Sequence, residues 1–432
     1  MIPEIEKASV ADIQKFQEEK LVGLLDYLNE KSTFYQRLFQ QNKINVSEIR
    51  TIKDLEKIPV TTKEDLQNFN NDFICVAEDK IIDVVTTSGT LGDPVTFVLT
   101  DNDLERLAYN EYLSFACAGI TNEDRIQLTT TIDKRFMAGL AYFLGARKLG
   151  ASIIRTGVGS PELQWDSITK LKPTCLVAVP SFLLKLIAFA EFQNIDLNTT
   201  SVKKVVCIGE PIKESDFTPN ILAKKITDKW NVELYSTYAS TEKSTAFTEC
   251  EEQIGGHHHP ELIIVELLDE NNKVIRGKGK GELTITTLGV EAMPLLRYKT
   301  GDIVELHDEP CKCGRNTVRI GPVLGRKKQM IKLKGTTIFP QSIKSVLNEI
   351  DEVENYIIHI AKDSVLNDKV TIKVQIKGSQ IEVEKLIQDR CKIKLRVVPI
   401  VEFLTKQEIQ KLMFPKLSRK PVDIIDERDS VS

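Results

Sequence analysis

Residues 81–94 read IIDVVTTSGTLGDP, an apolar run that leads directly into a turn rich in hydroxyl groups and glycine. The apolar run predicts a buried strand. The turn offers backbone N–H groups and hydroxyl donors, which suit the oxygens of a phosphate. Because the turn lacks a G-K-[ST] ending, it is not the phosphate loop that opens a helix. On these residues alone, a phosphate-binding turn and a plain solvent-exposed turn are equally good interpretations.

The segments around this turn have the pattern of a layered α/β protein. Early in the chain, leucines recur at helical spacing, which predicts a helical beginning. Further buried strands are predicted at 151–154, 174–179 and 204–208, and they alternate with amphipathic stretches at 140–149 and 180–193. This alternation predicts parallel α/β layers.

The second half of the chain has a different pattern. After about residue 260, short strands separated by polar turns predict a small β-subdomain that spans about 250–320. From Met330 onward, the order strand, helix, two strands, helix and strand is typical of a compact α+β domain. The sequence therefore predicts an α/β fold with a large N-terminal domain (1–326), built of layered α/β subdomains and this β-subdomain, followed by a small α+β domain (327–432).

The composition is that of a globular protein with more than one domain. The chain has 432 residues, of which 41 % are hydrophobic and 28 % charged, and its net charge is −4. A net charge this small creates no general attraction to nucleic acid or to an anionic membrane, and no apolar run reaches the roughly 18 residues of a membrane span. Since the beginning of the chain also lacks the features of a signal peptide, we expect a cytoplasmic protein, which could be an oligomer.

Three further segments carry residues typical of a nucleotide site. Residues 238–242, YASTE, place a carboxylate in a hydroxyl-rich loop, and carboxylate oxygens are ligands that Mg²⁺ prefers. In residues 297–302, RYKTGD, an acid follows a glycine turn, where it could accept both hydroxyls of a ribose. Residues 325–335, GRKKQMIKLKG, form a basic link bracketed by glycines. Each segment alone could be an ordinary turn, but their order and spacing together favour a functional site.

Together these motifs resemble the adenylate-forming acyl/aryl-CoA ligase superfamily, and specifically its phenylacetate–CoA ligase branch. The resemblance runs nearly end to end and rests on six motifs in the family's order. The motifs are IPVTTKEDL at 58–66, resembling L-P-F-T-T-K-E-D-L; TSGTLGDP at 87–94, resembling S-S-G-T-T-G-K-P; GEP at 209–211, resembling G-A-E-P; YASTE at 238–242, resembling Y-G-L-S-E; YKTGD at 298–302, resembling Y-R-T-G-D; and GRKKQMIKLKGTTIFP at 325–340, resembling G-R-x-D-D-M-x-x-x-R-G-V-N-V-F-P.

The resemblance implies a binding site for ATP and Mg²⁺. The implied contacts are, for the β- and γ-phosphates, Ser88, Gly89, Thr90 and Gly92; for the adenine, Gly209, Glu210, Pro211 and the loop Tyr238, Ala239, Ser240 and Thr241; for the ribose, Asp302; for the nucleotide near the hinge, Arg326; and for Mg²⁺, Glu242.

The resemblance also implies a mobile C-terminal domain. Residues 415–420, PKLSRK, resemble P-R-T-E-G-K, which makes Lys420 the mobile catalytic lysine that acts together with Glu242. Lys328 stands where the family has its hinge residue. The residues that stand where the branch surrounds an aryl ring are Phe136, Ala138, Gly139 and Tyr142, although the same residues could be ordinary core.

Three residues depart from the family's pattern. Asp93 replaces the lysine of the phosphate loop and puts a negative charge where the nucleotide is negative. Ala239 replaces a glycine of the adenine loop, and Arg419 replaces the glycine before the catalytic lysine, which could stiffen that loop.

Cysteine and histidine residues indicate a second kind of site. Cys250 precedes His257 by seven residues, and Cys311 and Cys313 form a C-x-C turn further on. Three thiols and one imidazole match a closed, tetrahedral structural Zn²⁺ site. Two more histidines follow His257 directly, so the sequence does not identify which imidazole would bind. A set of free thiols is the alternative interpretation.

The sequence therefore predicts an AMP-forming acid–thiol ligase. The enzyme would activate an aromatic (aryl or arylacetic) carboxylic acid with ATP to an acyl-adenylate and transfer the acyl group to coenzyme A. The nearest alternative loads an aryl or amino acid onto the phosphopantetheine thiol of a carrier protein. A relative that binds a nucleotide or an acyl-adenylate with little turnover is the third interpretation.

Overall fold

The computed structural model describes residues 2–87, 94–333, 336–362, 367–414 and 422–428. The chain divides into two compact units, one of Met1–Thr300 with Val304–Pro322 and the other of Gly301–Ile303 with Val323–Ser432. Along the described parts of the chain, every helix is too short or too polar to cross a lipid bilayer.

The first unit contains most of the secondary structure. Its helices are α1 (Glu4–Lys7), α2 (Val10–Lys31), α3 (Thr33–Gln41), α4 (Lys63–Asn68), α5 (Asp101–Cys117), α6 (Met137–Leu149), α7 (Pro161–Leu171), α8 (Pro180–Phe192) and α9 (Ile221–Thr227). Its strands are β1 (Asp83–Thr86), β2 (Thr96–Leu99), β3 (Arg125–Leu128), β4 (Ser152–Arg155), β5 (Cys175–Ala178), β6 (Lys204–Cys207), β7 (Glu233–Ser240), β8 (Thr245–Thr248), β9 (Gly256–His257), β10 (Ile263–Leu268), β11 (Val274–Ile275), β12 (Gly279–Thr287), β13 (Tyr298–His307) and β14 (Arg319–Ile320).

A six-stranded sheet lies in the first unit, with the strand order β4-β3-β5-β6-β7-β8. The pairs from β4 through β7 are parallel, and β8 pairs antiparallel with β7. Every residue of β5 is buried, because helices cover a parallel sheet on its faces. The predicted layered α/β fold is therefore confirmed, and the carboxyl ends of β3, β5, β6 and β7 meet at one edge of the sheet.

Two segments are strands as predicted, but they are less buried than predicted. The run at 81–85 was predicted to be a buried strand, but β1 pairs antiparallel with β2 in a separate two-stranded sheet. Ile82 and Val84 are 61 % and 45 % exposed, because alternate side chains of this ribbon point to solvent. The predicted buried strand at 151–154 corresponds to β4, which lies at the edge of its sheet and is half-exposed.

The segment from about 250 to 320 forms most of a sheet with the strand path β11-β10-β12-β13-β14-β9, in which β12 and β13 are longer than the predicted short strands. The predicted strand, polar turn and strand after residue 262 are confirmed, since Leu268 pairs with Val274 across the turn. β13 pairs with β14 through Leu306 and His307. β14 pairs in turn with β9, and Arg319 stands opposite His257.

The second unit is an α+β fold with its own core. Its elements are β15 (Gly325–Arg326), β16 (Ile331–Leu333), β17 (Thr336–Ile338), α10 (Pro340–Asn348), β18 (Val353–Lys362), β19 (Asp368–Ile376), α11 (Gln380–Leu395), β20 (Ile400–Phe403), α12 (Lys406–Met413) and β21 (Ile424–Asp426). A four-stranded sheet has the order β20-β19-β18-β21, and its apolar residues pack with those of α10 and α11.

Candidate functional site

Several of the predicted site residues lie at the carboxyl edge of the six-stranded sheet. Phe136 lies in the connection after β3, Gly209 follows β6, and Tyr238 lies near the end of β7. In open parallel sheets, ligands bind in the crevice outside the carboxyl ends of the strands. The topology therefore gathers motifs that are more than a hundred residues apart in the sequence at one edge of the sheet.

The two-stranded β1–β2 ribbon supports the phosphate-loop motif. Thr86 pairs with Thr96 at the end of the ribbon. Beyond this pair, the Thr87 N–H donates to Val95 O at 2.9 Å, and the Val95 N–H donates to Thr87 Oγ1 at 2.9 Å. The predicted phosphate ligands Ser88, Gly89, Thr90 and Gly92, together with Asp93, lie outside the described residues.

The Gly209-Glu210-Pro211 motif makes the turn that follows β6. Gly209 has φ +77°, a left-handed conformation that favours glycine. The Glu210 carboxylate accepts hydrogen bonds from the N–H and the hydroxyl of Ser181, both at 2.8 Å. Ser181 is in the first turn of α8, where a negative charge is favourable. The Glu210 carboxylate is therefore bound to the first turn of α8.

The adenine-loop motif lies in a hairpin formed by β7 and β8. Tyr238 stands opposite Phe247, and the two rings are 5.9 Å apart and tilted by 37°. Ala239 pairs with Ala246 and is exposed, whereas Ser240 and Thr241 are half-buried at the turn. Glu242 also lies in this turn and is half-buried. A carboxylate beside hydroxyl groups is the donor set that suits Mg²⁺, so these residues fit the predicted magnesium ligand.

Arg106 on α5 holds this hairpin turn in place. Its Nη1 donates to Ser244 O at 2.6 Å, and its Nη2 donates to Thr245 Oγ1 at 3.2 Å. The same guanidinium also donates to the carbonyls of Leu262 and Leu288. Burial lowers the pKa of Arg106 to about 10, so the side chain remains charged at neutral pH. Arg106 therefore joins the turn that carries Glu242 to two distant segments of the chain.

The predicted ribose ligand and one predicted nucleotide contact form an ion pair in the second unit. Asp302 pairs with Arg326 across β13 and β15, and Arg326 Nε lies 3.3 Å from Asp302 Oδ1. The Asp302 side chain is 10 % exposed, whereas that of Arg326 is 44 % exposed. The pair fixes the orientation of a carboxylate at the segment that the sequence assigned to the ribose.

The predicted hinge residue is bound through its backbone. Lys328 lies in a short 3₁₀ turn, and its side chain is exposed. Arg428 donates from Nη2 to Lys328 O at 2.6 Å and from Nη1 to Met330 O at 2.7 Å. Arg428 also forms ion pairs with Asp368 and Asp426. The predicted catalytic residue Lys420, like Arg419, lies outside the described residues.

The predicted acyl-pocket residues belong to different environments. Phe136 and Ala138 are half-buried. Gly139 lies against Thr131, since a Cβ atom at this position would be 2.0 Å from Thr131 O. Tyr142 is 2 % exposed and packs against Phe115, with ring centroids 6.0 Å apart. The close approach of the backbone explains the glycine without any bound ligand.

Cys250, His257, Cys311 and Cys313 converge, and their potential ligand atoms all lie within 4.8 Å of one another. The Cys250 and Cys311 sulfurs are 3.7 Å apart, and His257 Nε2 lies 3.4 Å from Cys250 Sγ and 3.5 Å from Cys313 Sγ. In a tetrahedral Zn²⁺ site, two sulfurs lie about 3.8 Å apart and a sulfur and an imidazole nitrogen about 3.5 Å apart. The donor set and its spacing therefore fit Zn²⁺.

The imidazole of this cluster also meets the requirements of a metal ligand. Burial lowers the pKa of His257 to about 3, so the ring is neutral. His257 Nδ1 lies 3.2 Å from Thr317 Oγ1, a contact that orients the ring and leaves Nε2 facing the thiols. Burial raises the pKa of the Cys250 thiol, so deprotonation there would depend on a bound cation.

The three consecutive histidines have different partners. His258 Nε2 lies 2.6 Å from Ile263 O, and His259 Nδ1 lies 2.6 Å from Glu6 Oε1. Only His257, of the three, lies in the thiol cluster. Successive residues of an extended chain point to opposite sides, so the run cannot direct three rings to one point.

The N-terminal helix α1 is held beside this cluster. Glu6 is fully buried and accepts a hydrogen bond from Arg315 Nε at 2.6 Å. Arg315 Nη1 lies 3.5 Å from Cys313 Sγ. Although burial opposes ionisation, His259 and Arg315 lower the pKa of Glu6. The buried carboxylate therefore connects the first helix to the loop that carries two of the thiols.

Comparison with known proteins agrees with this arrangement. The AMP-binding enzyme family model matches residues 15–292, and the model of the AMP-binding enzyme C-terminal domain matches residues 335–428. The chain is 30 % identical over 380 residues to the phenylacetate-coenzyme A ligase of Thermus thermophilus, covering 87 % of this chain and 84 % of the relative. It is 28 % identical over 400 residues to the enzyme of the same name from Escherichia coli, covering 90 % and 88 %.

A solved structure shows the same fold. The crystal structure of 2-hydroxyisobutyryl-CoA ligase in the postadenylation state matches with a TM-score of 0.85 and 22 % identity, covering 99 % of this chain and 92 % of that chain. The chain therefore belongs to the AMP-binding enzyme family, as the sequence motifs predicted. Both of these curated relatives are phenylacetate-coenzyme A ligases.

Two residues of this site were not found from the sequence. Arg106 lies in an otherwise ordinary amphipathic helix, and three of its four acceptors are backbone carbonyls, which leave no side-chain pattern. Lys243 follows the predicted magnesium ligand and is fully buried, although a lysine in a turn is usually solvated. In the sequence, Lys243 was marked only by its position immediately after the motif at 238–242.

Proposed function

We propose that this chain is an AMP-forming ligase that activates an aromatic carboxylic acid with ATP and transfers the acyl group to coenzyme A. The proposal is supported by one combined observation. The chain belongs to the AMP-binding enzyme family, and it carries the motifs that resemble the family's nucleotide contacts, in the family's order. The acid class rests on the likeness to phenylacetate-coenzyme A ligases, which cover most of the chain.

The first half-reaction would join two anions. A carboxylate oxygen of the acid attacks the α-phosphorus of ATP, the bond to pyrophosphate breaks, and an acyl-adenylate forms. The protein must hold the two reactants in line and offset their repulsion. Tyr238 would flank the adenine, Asp302 would accept the ribose hydroxyls, and Arg326 would contact the nucleotide. Glu242 would hold Mg²⁺, which supplies positive charge to the phosphates.

The second half-reaction would break the mixed anhydride. The coenzyme A thiolate attacks the acyl carbon, AMP leaves, and a thioester forms. Phe136, Ala138 and Tyr142 are the residues that we assign to the acyl group, with Gly139 admitting the close backbone contact to Thr131. Lys420 is assigned to the first half-reaction, where its charge would stabilise the reacting phosphate.

We also propose that Cys250, His257, Cys311 and Cys313 bind one structural Zn²⁺. The support is the donor set, the neutral imidazole and the spacing of the ligand atoms. Four protein ligands would leave no open position for substrate, so the ion would stabilise the fold rather than take part in the reaction.

The proposal is tested by measuring pyrophosphate release from ATP and Mg²⁺ with aromatic, arylacetic and short aliphatic acids. Each acid is assayed alone, with coenzyme A and with a phosphopantetheinylated carrier protein. Release that requires an aromatic acid, with an aryl thioester formed on coenzyme A, is the expected result. Thioester on the carrier protein alone, or no release with any acid, would contradict the proposal.

A lysine variant separates the two half-reactions. Lys420→Ala should lower adenylation by several orders of magnitude and leave thioester formation from supplied acyl-adenylate nearly intact. Lys185→Ala, a change at an exposed lysine of α8, is the matched control. Equal loss in both half-reactions would contradict the role of Lys420 while leaving the overall activity established.

A further inference from the structure

We propose that Lys243 is a positioning residue for the purine base, because its ammonium holds the Tyr238 ring against which the adenine of ATP would stack. The inference rests on the proposed function for the presence of a nucleotide at this loop. It assigns a role to a residue that lies outside the family motif, one position after Glu242.

The ammonium lies over the face of the tyrosine ring. Lys243 Nζ is 3.3 Å from the centroid of the Tyr238 ring. A nitrogen this close to the centroid must lie above the ring plane, since an edge-on approach would collide with the ring carbons. One face of Tyr238 is thus covered by the ammonium, and we assign the planar base to the opposite face.

Burial strengthens this contact. Lys243 is 0 % exposed, so bulk water does not compete with the ring for the ammonium. A cation over an aromatic face contributes about 0.5–1 kcal/mol at exposed sites and about 2 kcal/mol or more when desolvated. Tyr238 itself is half-buried, in contrast to the fully buried lysine.

The backbone around Lys243 is fixed on both sides. The Lys243 N–H donates to Ser240 Oγ at 3.4 Å, and the Ser244 N–H donates to Ser240 O at 3.2 Å. Ser244 has φ +47°, and its carbonyl accepts from Arg106. Because the turn is held at Ser240 and Ser244, the backbone of Lys243 has a fixed position. Its side chain extends from that position over Tyr238 of β7.

The second aromatic neighbour restricts the ring further. Phe247 stands opposite Tyr238 in the hairpin and is 1 % exposed. With Phe247 tilted against it and the ammonium above it, the Tyr238 ring has little freedom to rotate. The cation also draws electron density from the ring, which favours stacking with an electron-rich purine over an electron-poor base.

The test measures the Kd of ATP by titration calorimetry, together with the KM of ATP, the KM of the acid and kcat. Lys243→Met should raise the Kd and KM of ATP roughly five- to thirtyfold, with less than about a twofold change in kcat and in the KM of the acid. Lys243→Arg, which keeps a cation over the ring, should stay within about threefold of the wild type. Lys185→Met on the surface of α8 is the control for loss of a lysine charge.

A second background distinguishes positioning from a general structural role. In Tyr238→Leu, which removes the ring, Lys243→Met should raise the Kd of ATP by less than about twofold further. An equal effect of Lys243→Met in both backgrounds would overturn the proposal, as would a Kd of ATP unchanged by Lys243→Met. If Lys243→Met does not fold, Lys243→Arg decides, and a more than tenfold rise in the Kd of ATP overturns the inference. A wild-type protein that binds no ATP at all would instead refute the proposed function.

Discussion

Asp302 and Arg326, which the sequence assigned to the ribose and to the nucleotide, form an ion pair with 3.3 Å between Arg326 Nε and Asp302 Oδ1. The pair stands at the register where β13 and β15 meet. The guanidinium holds this carboxylate in a defined orientation at the segment that the sequence assigned to the ribose.

The pair predicts a loss of nucleotide affinity when the carboxylate is removed. Asp302→Asn should raise the Kd of ATP about tenfold or more, because hydrogen bonds to a charged acceptor are stronger than those to an amide. Titration calorimetry measures the change, with Asp308→Asn as the control at an exposed acid of the loop after β13. Equal Kd values for the two variants would remove Asp302 from the ribose site.

The thiol cluster predicts bound metal of defined stoichiometry. Protein purified without a metal-affinity resin should contain about one Zn²⁺ per chain, and Cys311→Ser with Cys313→Ser should contain none and unfold at a lower temperature. Elemental analysis and a thermal melt supply the two readings. Lys312→Ala, at the exposed residue between the two cysteines, should retain the metal. A double serine variant with a full equivalent of zinc would refute the assignment.

Arg106 predicts a coupled loss of stability and nucleotide binding. Arg106→Met would remove a donor from the carbonyls of Ser244, Leu262 and Leu288, of which that of Leu262 keeps another donor, the Leu288 N–H. We expect a loss of about 3 kcal/mol or more in the free energy of unfolding and a weaker Kd of ATP in the folded fraction. Arg147→Met, at an exposed position of α6, should change the stability by less than about 0.5 kcal/mol. A free energy of unfolding equal to that of the wild type would show that the hydrogen bonds of Arg106 do not stabilise the fold.

Glu111 on α5 predicts a pH dependence of stability. Burial raises the pKa of its carboxyl from 4.5 to about 8, and its Oε2 has no hydrogen-bond partner among the described residues. The folded state therefore keeps this proton to a higher pH than the unfolded state does. The contribution of Glu111 to stability is thus lost as the pH rises from about 4.5 to 8, at up to about 1.4 kcal/mol per pH unit.

Glu111→Gln should remove this component, so the variant should gain stability relative to the wild type at pH 9 but not at pH 4. Urea unfolding at both values provides the comparison. Glu105→Gln, at an exposed position of the same helix, should show no such difference. Parallel pH profiles for the wild type and Glu111→Gln would contradict the raised pKa.

The sequence was sufficient for the features that depend on residue type and order. Alternating apolar and amphipathic segments predicted the α/β layers, because each strand of a covered parallel sheet must be apolar. The spacing of the cysteines and the histidine run predicted that three thiols and one imidazole would converge, a donor set that matches a structural Zn²⁺ site. The motif at 209–211 follows the predicted strand at 204–208, whereas the motif at 238–242, which was predicted to be a loop, begins inside β7.

Features that depend on register and on backbone acceptors were not predictable. The run at 81–85 is mostly apolar, yet among the described residues it pairs only with β2, and alternate residues such as Ile82 and Val84 are exposed. The run itself carries no signal of which segment will pair with it. The position of Lys243 over Tyr238 follows from the hairpin register and from the turn geometry. Arg106 donates mainly to backbone carbonyl groups, which every residue possesses.

The three consecutive histidines have a practical consequence. Their exposed fractions are 0 %, 3 % and 0 %, and each ring has its own buried partner. A short histidine run normally gives a protein some affinity for immobilised nickel, but here the imidazoles are out of reach while the chain is folded. Retention of the untagged protein on a nickel column would therefore report the fraction that has unfolded, and the folded enzyme would pass through.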